Sequence, residues 1–409
     1  MGPAHGDHPS MMTGLVRAAC TLSFVAGAAF AVYAFGDTPL MVDEYVHYPQ
    51  IVGFARKYSR IDPRLTMIPG YHAIIAALSW VFGGLSIRAV RAYSFLVAFG
   101  AIAAFYFAAR ADAEERPVVR TLQLAFLPIA LPLFFLIYTD ATSLLFVLWM
   151  MLAAIRNRPW QAGMLGLVAC LIRQNNIVWV AFAALWMHAV ESGWSWSTLR
   201  EELGRYWAFV LTAALFIVFV WMNGGVALGD AGAHPLSRAH LGNVFFLLFL
   251  CPLLLAPMFL ARWRQWLAPL HHARAWLWLG IVFVIFWTGF SVDHPYNLMQ
   301  RDLFLRNAVL GFFISSDSSR LLFFVPIGFA ILGLRTVELR PAWWLIYPFT
   351  VLFLLPSWLI EQRYYLIPLS LLLLAREPIS PRVERLQVAW FAAMSGALFL
   401  AIERDWTFM

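Results

Sequence analysis

The sequence predicts an all-α, polytopic membrane protein. Three observations carry this prediction. Apolar residues fill 62% of the 409 positions and charged residues only 12%, well below the roughly 25% charged of a soluble domain. Apolar runs recur along the whole chain, and a bilayer core admits only helices or closed barrels. Tryptophan sits near the ends of these runs, as at Trp80, Trp160 and Trp358, where an indole suits the membrane–water interface.

In chain order, membrane helices are expected at 15–36, 88–109, 121–138, 140–155, 160–172, 177–190, 206–223, 242–260, 275–292, 320–334, 342–357, 364–375 and 386–402. With soft boundaries this gives about eleven to fourteen spans, several of them shorter than the roughly 20 residues a bilayer asks for. Gly14–Phe35 is long enough to stay as a first membrane helix, and no cleavable signal peptide is evident. No tandem repeat or linker breaks the series. The chain therefore reads as one domain, 1–409, with an N-terminal catalytic module over 1–223, an acidic first loop at 37–66 and a C-terminal module over 224–409.

Arginine placement orients the helices. Segment 67–84 is apolar, but if it spanned, Arg110, Arg116 and Arg120 would fall outside, against the positive-inside tendency. It is expected to be a juxtamembrane or re-entrant helix on the outer face, and 303–314 likewise. The formal charge of +7 is then mostly topology, and no nucleic-acid partner is implied. Lys57 is the only lysine among 29 basic residues, a bias that favours a bacterial source and hence an inner-membrane protein. Cys20, Cys170 and Cys251 lie inside apolar segments and read as packing residues, not as a disulfide or metal framework.

The polar stretches left on the outer face are where chemistry is expected, because charged groups beside a bilayer are costly to desolvate. The first is the loop Met41–Tyr71. Asp43 and Glu44 are adjacent carboxylates, of which one could act as general base towards a sugar hydroxyl and the other hold the acceptor. His47 and Gln50 share a face with Asp43 if the segment is helical, although Pro49 biases Tyr48 away from the α region. The competing reading is the solvated face of an interfacial helix.

Arg173-Gln174-Asn175-Asn176 interrupts an apolar stretch from Trp160 to Val190. It is either a short loop or a phosphate site where two half-helices meet at an arginine. Tyr138-Thr139-Asp140 reads, on residues alone, as a helix N-cap. His294-Pro295-Tyr296 with Arg301, and Glu361 to Tyr365, pair arginine with tyrosine. They are local interface ion pairs or grips on a phosphate. No P-loop, zinc-type spacing, nucleophile elbow or Rossmann unit occurs, which argues against a soluble nucleotide-sugar donor.

Taken together these islands resemble the Dol-P-Glc-dependent α-1,2-glucosyltransferase family, which adds the terminal glucose to the lipid-linked oligosaccharide of protein N-glycosylation. The family's acidic M-D-E-x-x-H-x-P-Q loop reads Met41-Val42-Asp43-Glu44-Tyr45-Val46-His47-Tyr48-Pro49-Gln50, with one residue extra. Its W-D-P segment reads Ile61-Asp62-Pro63, its Y-T-D reads Tyr138-Thr139-Asp140, and its R-Q-T-N reads Arg173-Gln174-Asn175-Asn176. Its N-G-x-x-V-G-D…H reads Asn223 to Asp230 and then His234, and its E-F-R-Y reads Glu361-Gln362-Arg363-Tyr364. The H-P-Y motif is shortened here to His294-Pro295-Tyr296 with Arg301, and the Trp before Asp62 is absent.

The resemblance implies a GT-C glycosyltransferase with its site on the periplasmic face, or on the lumenal face of the endoplasmic reticulum in a eukaryote. The implied reaction moves glucose from polyprenyl (dolichyl) phosphate glucose to a lipid-linked glycan acceptor, with inversion to an α-1,2 link. In that scheme Asp43 is the general base, with Glu44 second. Arg173, Gln174, Arg301 and Arg363 hold the donor phosphate. His47, Gln50, Asp62, Tyr138, Asp140, His294 and Tyr364 orient sugar or acceptor. A phosphate leaving group held by arginine needs no cofactor, while an acidic pair is also a potential Mg²⁺ or Mn²⁺ ligand. A polyprenyl-phosphate mannosyl- or arabinosyltransferase is the nearest rival. A lipid-linked sugar transporter is the rival from another class, although the inverted repeats common in such proteins are not seen.

Overall fold

The computed structural model describes residues 38–58, 60–112, 114–195, 204–229, 239–404 and 406–408. The expected helix 15–36, Cys20, Asp230 and His234 lie outside the described residues. Within them the chain is helical, and the only β pairing is the isolated bridges Phe304–Phe408 and Leu339–Arg376. It is an all-α polytopic membrane protein.

The helices are α1 Glu44–Ala55, α2 Gly70–Phe82, α3 Ile87–Ala111, α4 Pro117–Ala125, α5 Thr139–Ile155, α6 Pro159–Ile172, α7 Ile177–Ser192, α8 Trp207–Asn223, α9 Gly242–Leu254 and α10 Ala256–Ala261. They continue with α11 Trp263–Leu267, α12 Ala273–Gly289, α13 Leu305–Phe313, α14 Asp317–Leu334, α15 Ile346–Leu354, α16 Leu366–Ala375 and α17 Pro381–Glu403. Single turns lie between some of these. By length and apolarity α3, α14 and α17 can each cross a membrane alone. The segment Trp263–His271 and α12 qualify together but are bent by 97°. The other apolar helices are shorter; α5, at 17 residues, is roughly 25 Å long against a hydrocarbon core of about 30 Å.

Two departures from the expected spans have a common cause. The expected helix 121–138 stops at Ala125, and the chain then runs irregularly through a single 3₁₀ turn, Pro132–Phe134. Pro128 and Pro132 each remove an amide donor and disfavour helix before them. The irregular backbone is tolerated because Leu127, Ile129, Ala130 and Leu133–Tyr138 are buried in protein, away from lipid. The expected helix 242–260 is divided at Leu255 into α9 and α10, with Pro252 and Pro257 on either side. By contrast Pro49 stands inside α1 without breaking it.

Close helix contacts use small residues, as expected where lipid supplies no hydrophobic push. α3 lies along α5 through buried Ala98, Ala101, Ala104 and Ala108. α6 crosses α8 at Gly163, where a Cβ would stand 2.6 Å from the Ala208 backbone. Thr212 donates to the Gly163 carbonyl at 3.0 Å across the same crossing. α1 packs on α2, which is 13 residues long.

Candidate active site

Asp43 directly precedes α1 without capping it, and its neighbours fix where it points. Val42, directly before it, has φ of 45°, a left-handed backbone that costs a β-branched residue about 1–3 kcal/mol. What holds the turn is Glu44. Its carboxylate pairs with Arg91 of α3, at 2.9 Å to Nε, and accepts the Ile137 amide at 2.8 Å and the Met41 amide at 2.9 Å. Both partners are buried. Glu44 thus serves as an anchor with its acceptor positions filled, while the adjacent Asp43 carboxylate faces Arg363 at 2.5 Å.

Asp43 lines a cavity of about 520 Å³ that draws on both ends of the chain, from Val42 to Ala227 and from Tyr296 to Tyr364. Its walls carry four arginines, Arg64, Arg173, Arg306 and Arg363, against two carboxylates, Asp43 and Glu361. Glu361 bridges two of them, at 3.1 Å to Arg306 and 2.7 Å to Arg363. Asp43, Arg363, Glu361 and Arg306 so form a charge ladder along one wall. Arg363 also lies 5.5 Å over the Tyr138 ring and 5.9 Å over Tyr364.

Arg173 sits at the break between α6 and α7, where the chain turns extended. It pairs with Asp140, in the first turn of α5, and lies 5.6 Å over the Tyr364 ring. Asn176 fastens the break by donating to Ser143 Oγ and the Ala169 carbonyl, both at 2.8 Å. Arg173 and Arg363 thereby flank Tyr364 from two different chain breaks, each with its own carboxylate partner.

Burial pushes the Asp43 carboxyl up, but Arg363, His47 and Arg306 outweigh it and hold it below its ordinary value. Burial, reinforced by Arg363 and Arg173, lowers His47 to about 4, against the opposing pull of Asp43. His47 is therefore a neutral imidazole near pH 7. Its Nδ1 lies 3.0 Å from His72 Nε2, so one of the two rings donates to the other.

The other expected residues fall into two groups. His47, Arg173, Gln174, Arg363 and Tyr364 line the cavity with Asp43, and Asp140 and Tyr138 stand behind it. Glu44, Gln50, Asp62, His294 and Arg301 do not line it. Gln50 is spent on backbone, accepting from the Asp62 amide at 2.7 Å and donating to the Arg60 carbonyl at 3.1 Å. Asp62 grips Arg64 through both oxygens. His294 is buried against Trp358 and accepts the Tyr296 amide. Arg301 is exposed and packs on Gly311. Gln174 lines the cavity but uses its amide on the Thr66 and Val226 carbonyls and the Ile68 amide, so it frames the wall instead of reaching inwards. The Glu44 oxygens are taken up by Arg91 and two backbone amides, and among the described residues no group of three or more His, Cys, Asp or Glu is placed to hold a metal.

Sequence reasoning missed Arg306, which takes the place expected of Arg301. It lies on α13 in Leu303-Phe304-Leu305-Arg306, and an arginine inside an apolar run was the available signal. It also missed a scaffold of buried amides. Asn243 donates to the Ser357 and Leu359 carbonyls and accepts from the Glu361 amide and Tyr365 hydroxyl. Asn297 exchanges two bonds with Ile360 at 2.9 Å each, and Asn307 holds the Tyr296 and Met299 carbonyls. These three side chains fix the strand of backbone that delivers Glu361 and Arg363.

The family model described as the DIE2/ALG10 family matches residues 38–202 and 185–374. The chain belongs to the DIE2/ALG10 family. Among its relatives is a human protein named Dol-P-Glc:Glc(2)Man(9)GlcNAc(2)-PP-Dol alpha-1,2-glucosyltransferase, 24% identical over 398 aligned residues covering 80% of this chain and 82% of the relative. An Arabidopsis thaliana protein of the same name is 24% identical over 467 residues, 89% of this chain and 91% of the relative. A Drosophila melanogaster protein of that name is 26% identical over 253 residues, 52% of this chain and 55% of the relative. No solved structure matches the chain.

Proposed function

We propose that the protein is a membrane hexosyltransferase that moves glucose from polyprenyl phosphate glucose to a hydroxyl of a glycan acceptor, with inversion to an α-1,2 link. The observation that carries this reading is the cavity wall of four arginines around two carboxylates. Such a wall suits a phosphate leaving group and retains one base. In the reaction the acceptor oxygen attacks C1 from the face opposite the phosphate. Asp43 takes the hydroxyl proton, the C1–O bond to phosphate breaks, and the charge that develops on phosphate meets Arg363, Arg173 and Arg306. Tyr364, between two of those arginines, forms the floor beneath the leaving group.

In the ligand-free site Asp43 and Arg363 neutralise each other. Donor phosphate competes for Arg363, and its arrival frees Asp43 to accept a proton. The base is therefore uncovered only when a donor is present, which disfavours idle binding of stray cations. His47, neutral beside Asp43, contributes a hydrogen bond to sugar or acceptor without adding positive charge. We place the cavity on the non-cytoplasmic face of the membrane, because Arg110, Arg116, Arg156, Arg158, Arg262, Arg264 and Arg335 then fall on the cytoplasmic face; the arginines of the cavity are the exceptions and serve the phosphate instead. Both chain modules are needed, since 1–223 supplies the base and 224–409 supplies Arg306 and Arg363.

The test is transfer by purified protein offered polyprenyl phosphate glucose or polyprenyl phosphate mannose, followed by linkage analysis of the product. A 1,2-linked α-glucoside from the glucose donor is expected. Transfer from the mannose donor alone would move the protein to another sugar, and movement of intact donor across proteoliposomes without release of polyprenyl phosphate would make it a transporter.

A further inference from the structure

A second cavity, of about 890 Å³, lies far from the first and shares no residue with it. It sits in the angle between α12 and the end of α14. Its size falls within the roughly 300–1,000 Å³ of small-ligand pockets. Trp278, Leu279 and Val282 of α12 face Ile331 and Leu332 of α14 across an apolar interior. At the rim stand Arg274 and Arg335. Both are exposed, and among the described residues neither guanidinium has a hydrogen-bond or ion-pair partner in the protein. That contrasts with the catalytic cavity, where Arg173, Arg306 and Arg363 each hold a carboxylate.

The surroundings place this rim at a membrane surface. The preceding segment, Trp263–His271, turns through 97° into α12. If α12 crosses the bilayer, that segment runs along the interface. It carries Arg264 and His271, and Trp263, Trp276 and Trp278 around the corner are exposed, the pattern of an interfacial aromatic belt. No side chain caps the first turn of α12, so the positive end of a 17-residue helix dipole points to the same rim. The other end of α12 leads to Tyr296 of the catalytic cavity. The two sites are thus separated by the length of the helix, roughly 25 Å, and lie towards opposite membrane faces.

We propose that this corner binds an anionic phospholipid, its phosphate held between Arg274 and Arg335 and an acyl chain lying between α12 and α14. The charge is complementary, since two unpaired arginines and a helix N-terminus converge where a phosphate would sit. The interior has the composition of a hydrocarbon sleeve. The occupant is a bilayer lipid of the arginine-rich face, distinct from the glucosyl donor on the other side, and the inference does not rest on the transfer chemistry.

Native mass spectrometry of the purified full chain tests it. The protein is titrated with phosphatidylglycerol, phosphatidylcholine of equal chain length, or inorganic phosphate. One retained phosphatidylglycerol is expected, displaced neither by phosphatidylcholine nor by inorganic phosphate. Removing two surface arginines facing an anionic headgroup should weaken it about fivefold each, so Arg274→Gln/Arg335→Gln should weaken retention roughly twenty-five-fold. Leu279→Trp, which fills the sleeve and keeps both arginines, should lose it as well. Arg382→Gln/Arg385→Gln, elsewhere on the same arginine-rich side, should stay within about twofold of the parent. Equal retention of the two lipids, undiminished binding in the Arg274/Arg335 variant, or equal loss in the Arg382/Arg385 control would each overturn the site. Loss in the arginine variant with full retention in Leu279→Trp would leave a headgroup contact without the lipid sleeve and overturn it too.

Discussion

Replacing Glu44 by glutamine separates two adjacent carboxylates that sequence alone leaves interchangeable. Glu44 is fully buried and holds Arg91, which is 1% exposed, while also accepting the amides of Met41 and Ile137. Glutamine keeps the volume but removes the charge and one acceptor. Arg91 would keep the carbonyls of Thr38 and Pro39 and the Thr38 hydroxyl but lose the buried Glu44 carboxylate. Breaking one side of a buried ion pair costs about 3–5 kcal/mol, a large share of the stability of most proteins. The expected result is a clear fall in the thermal unfolding midpoint in detergent, with poor recovery of folded protein. Asp43→Asn should melt within a few degrees of the parent and transfer no glucose, because only proton acceptance is lost. The double replacement Glu44→Leu/Arg91→Met removes both charges together and should recover most of the midpoint. With Asp43 intact it should also recover measurable turnover. The measurements are differential scanning fluorimetry and radiolabelled glucose transfer on the same preparations. A Glu44→Gln protein that melts like the parent yet is inactive would refute the anchor role and make Glu44 the base.

Three further outcomes are expected. Arg173→Lys should keep partial activity and Arg173→Gln almost none, with weaker competition by free polyprenyl phosphate in both, because lysine keeps charge but loses the two-pronged geometry; parent-like competition in Arg173→Gln would pass the phosphate role to Arg306 and Arg363. His47, at about 4 in the folded chain, takes up its proton more readily when unfolded, near 6.5. It therefore lowers stability as pH falls from about 6.5 towards 4, by up to about 3 kcal/mol, and His72, lowered by its own burial and by His47, acts in the same direction. His47→Gln should flatten the dependence of the unfolding midpoint on pH between 7 and 5, and an unchanged slope would remove His47 from the account. Cysteines introduced at Leu85 and Glu115 should react with an impermeant reagent from opposite faces of a sealed vesicle; labelling from one face would mean that 67–84 spans.

Much of the architecture was legible because charge is expensive beside lipid. An arginine at the Arg173 break and an Arg363 among tyrosines stand out against an apolar chain, and both line the cavity with Asp43. What sequence could not supply was partnership. Nothing near Glu44 in sequence announces Arg91, 47 positions away, so two neighbouring acids looked equivalent when one was already committed. Arg301 stands beside the His294 motif and so draws attention in sequence, yet the turn before α13 leaves Arg301 at the surface and Arg306 in the cavity wall. Asn243, Asn297 and Asn307 carry no distinguishing signal in the sequence. Their importance lies in carbonyls and amides that become unsatisfied only once the chain is folded. The span over 121–138 failed for a reason that was visible, two prolines, which hydrophobicity alone does not weigh.

The ion pair between Asp43 and Arg363 joins residues 320 positions apart. During synthesis at roughly 5–20 residues per second, that separation is a delay of roughly 15–60 seconds. Glu44 meets Arg91 early, as soon as α3 is in place, so the amino-terminal turn can be set while most of the protein is still on the ribosome. Asp43 has no counter-charge until nearly the last helices have been inserted. A nascent or carboxy-terminally truncated chain therefore presents a formed carboxylate without its Arg363 partner and an arginine wall that is still incomplete. The catalytic centre is completed among the last events of biogenesis, and chains stopped before Arg363 are expected to be inert rather than partly active.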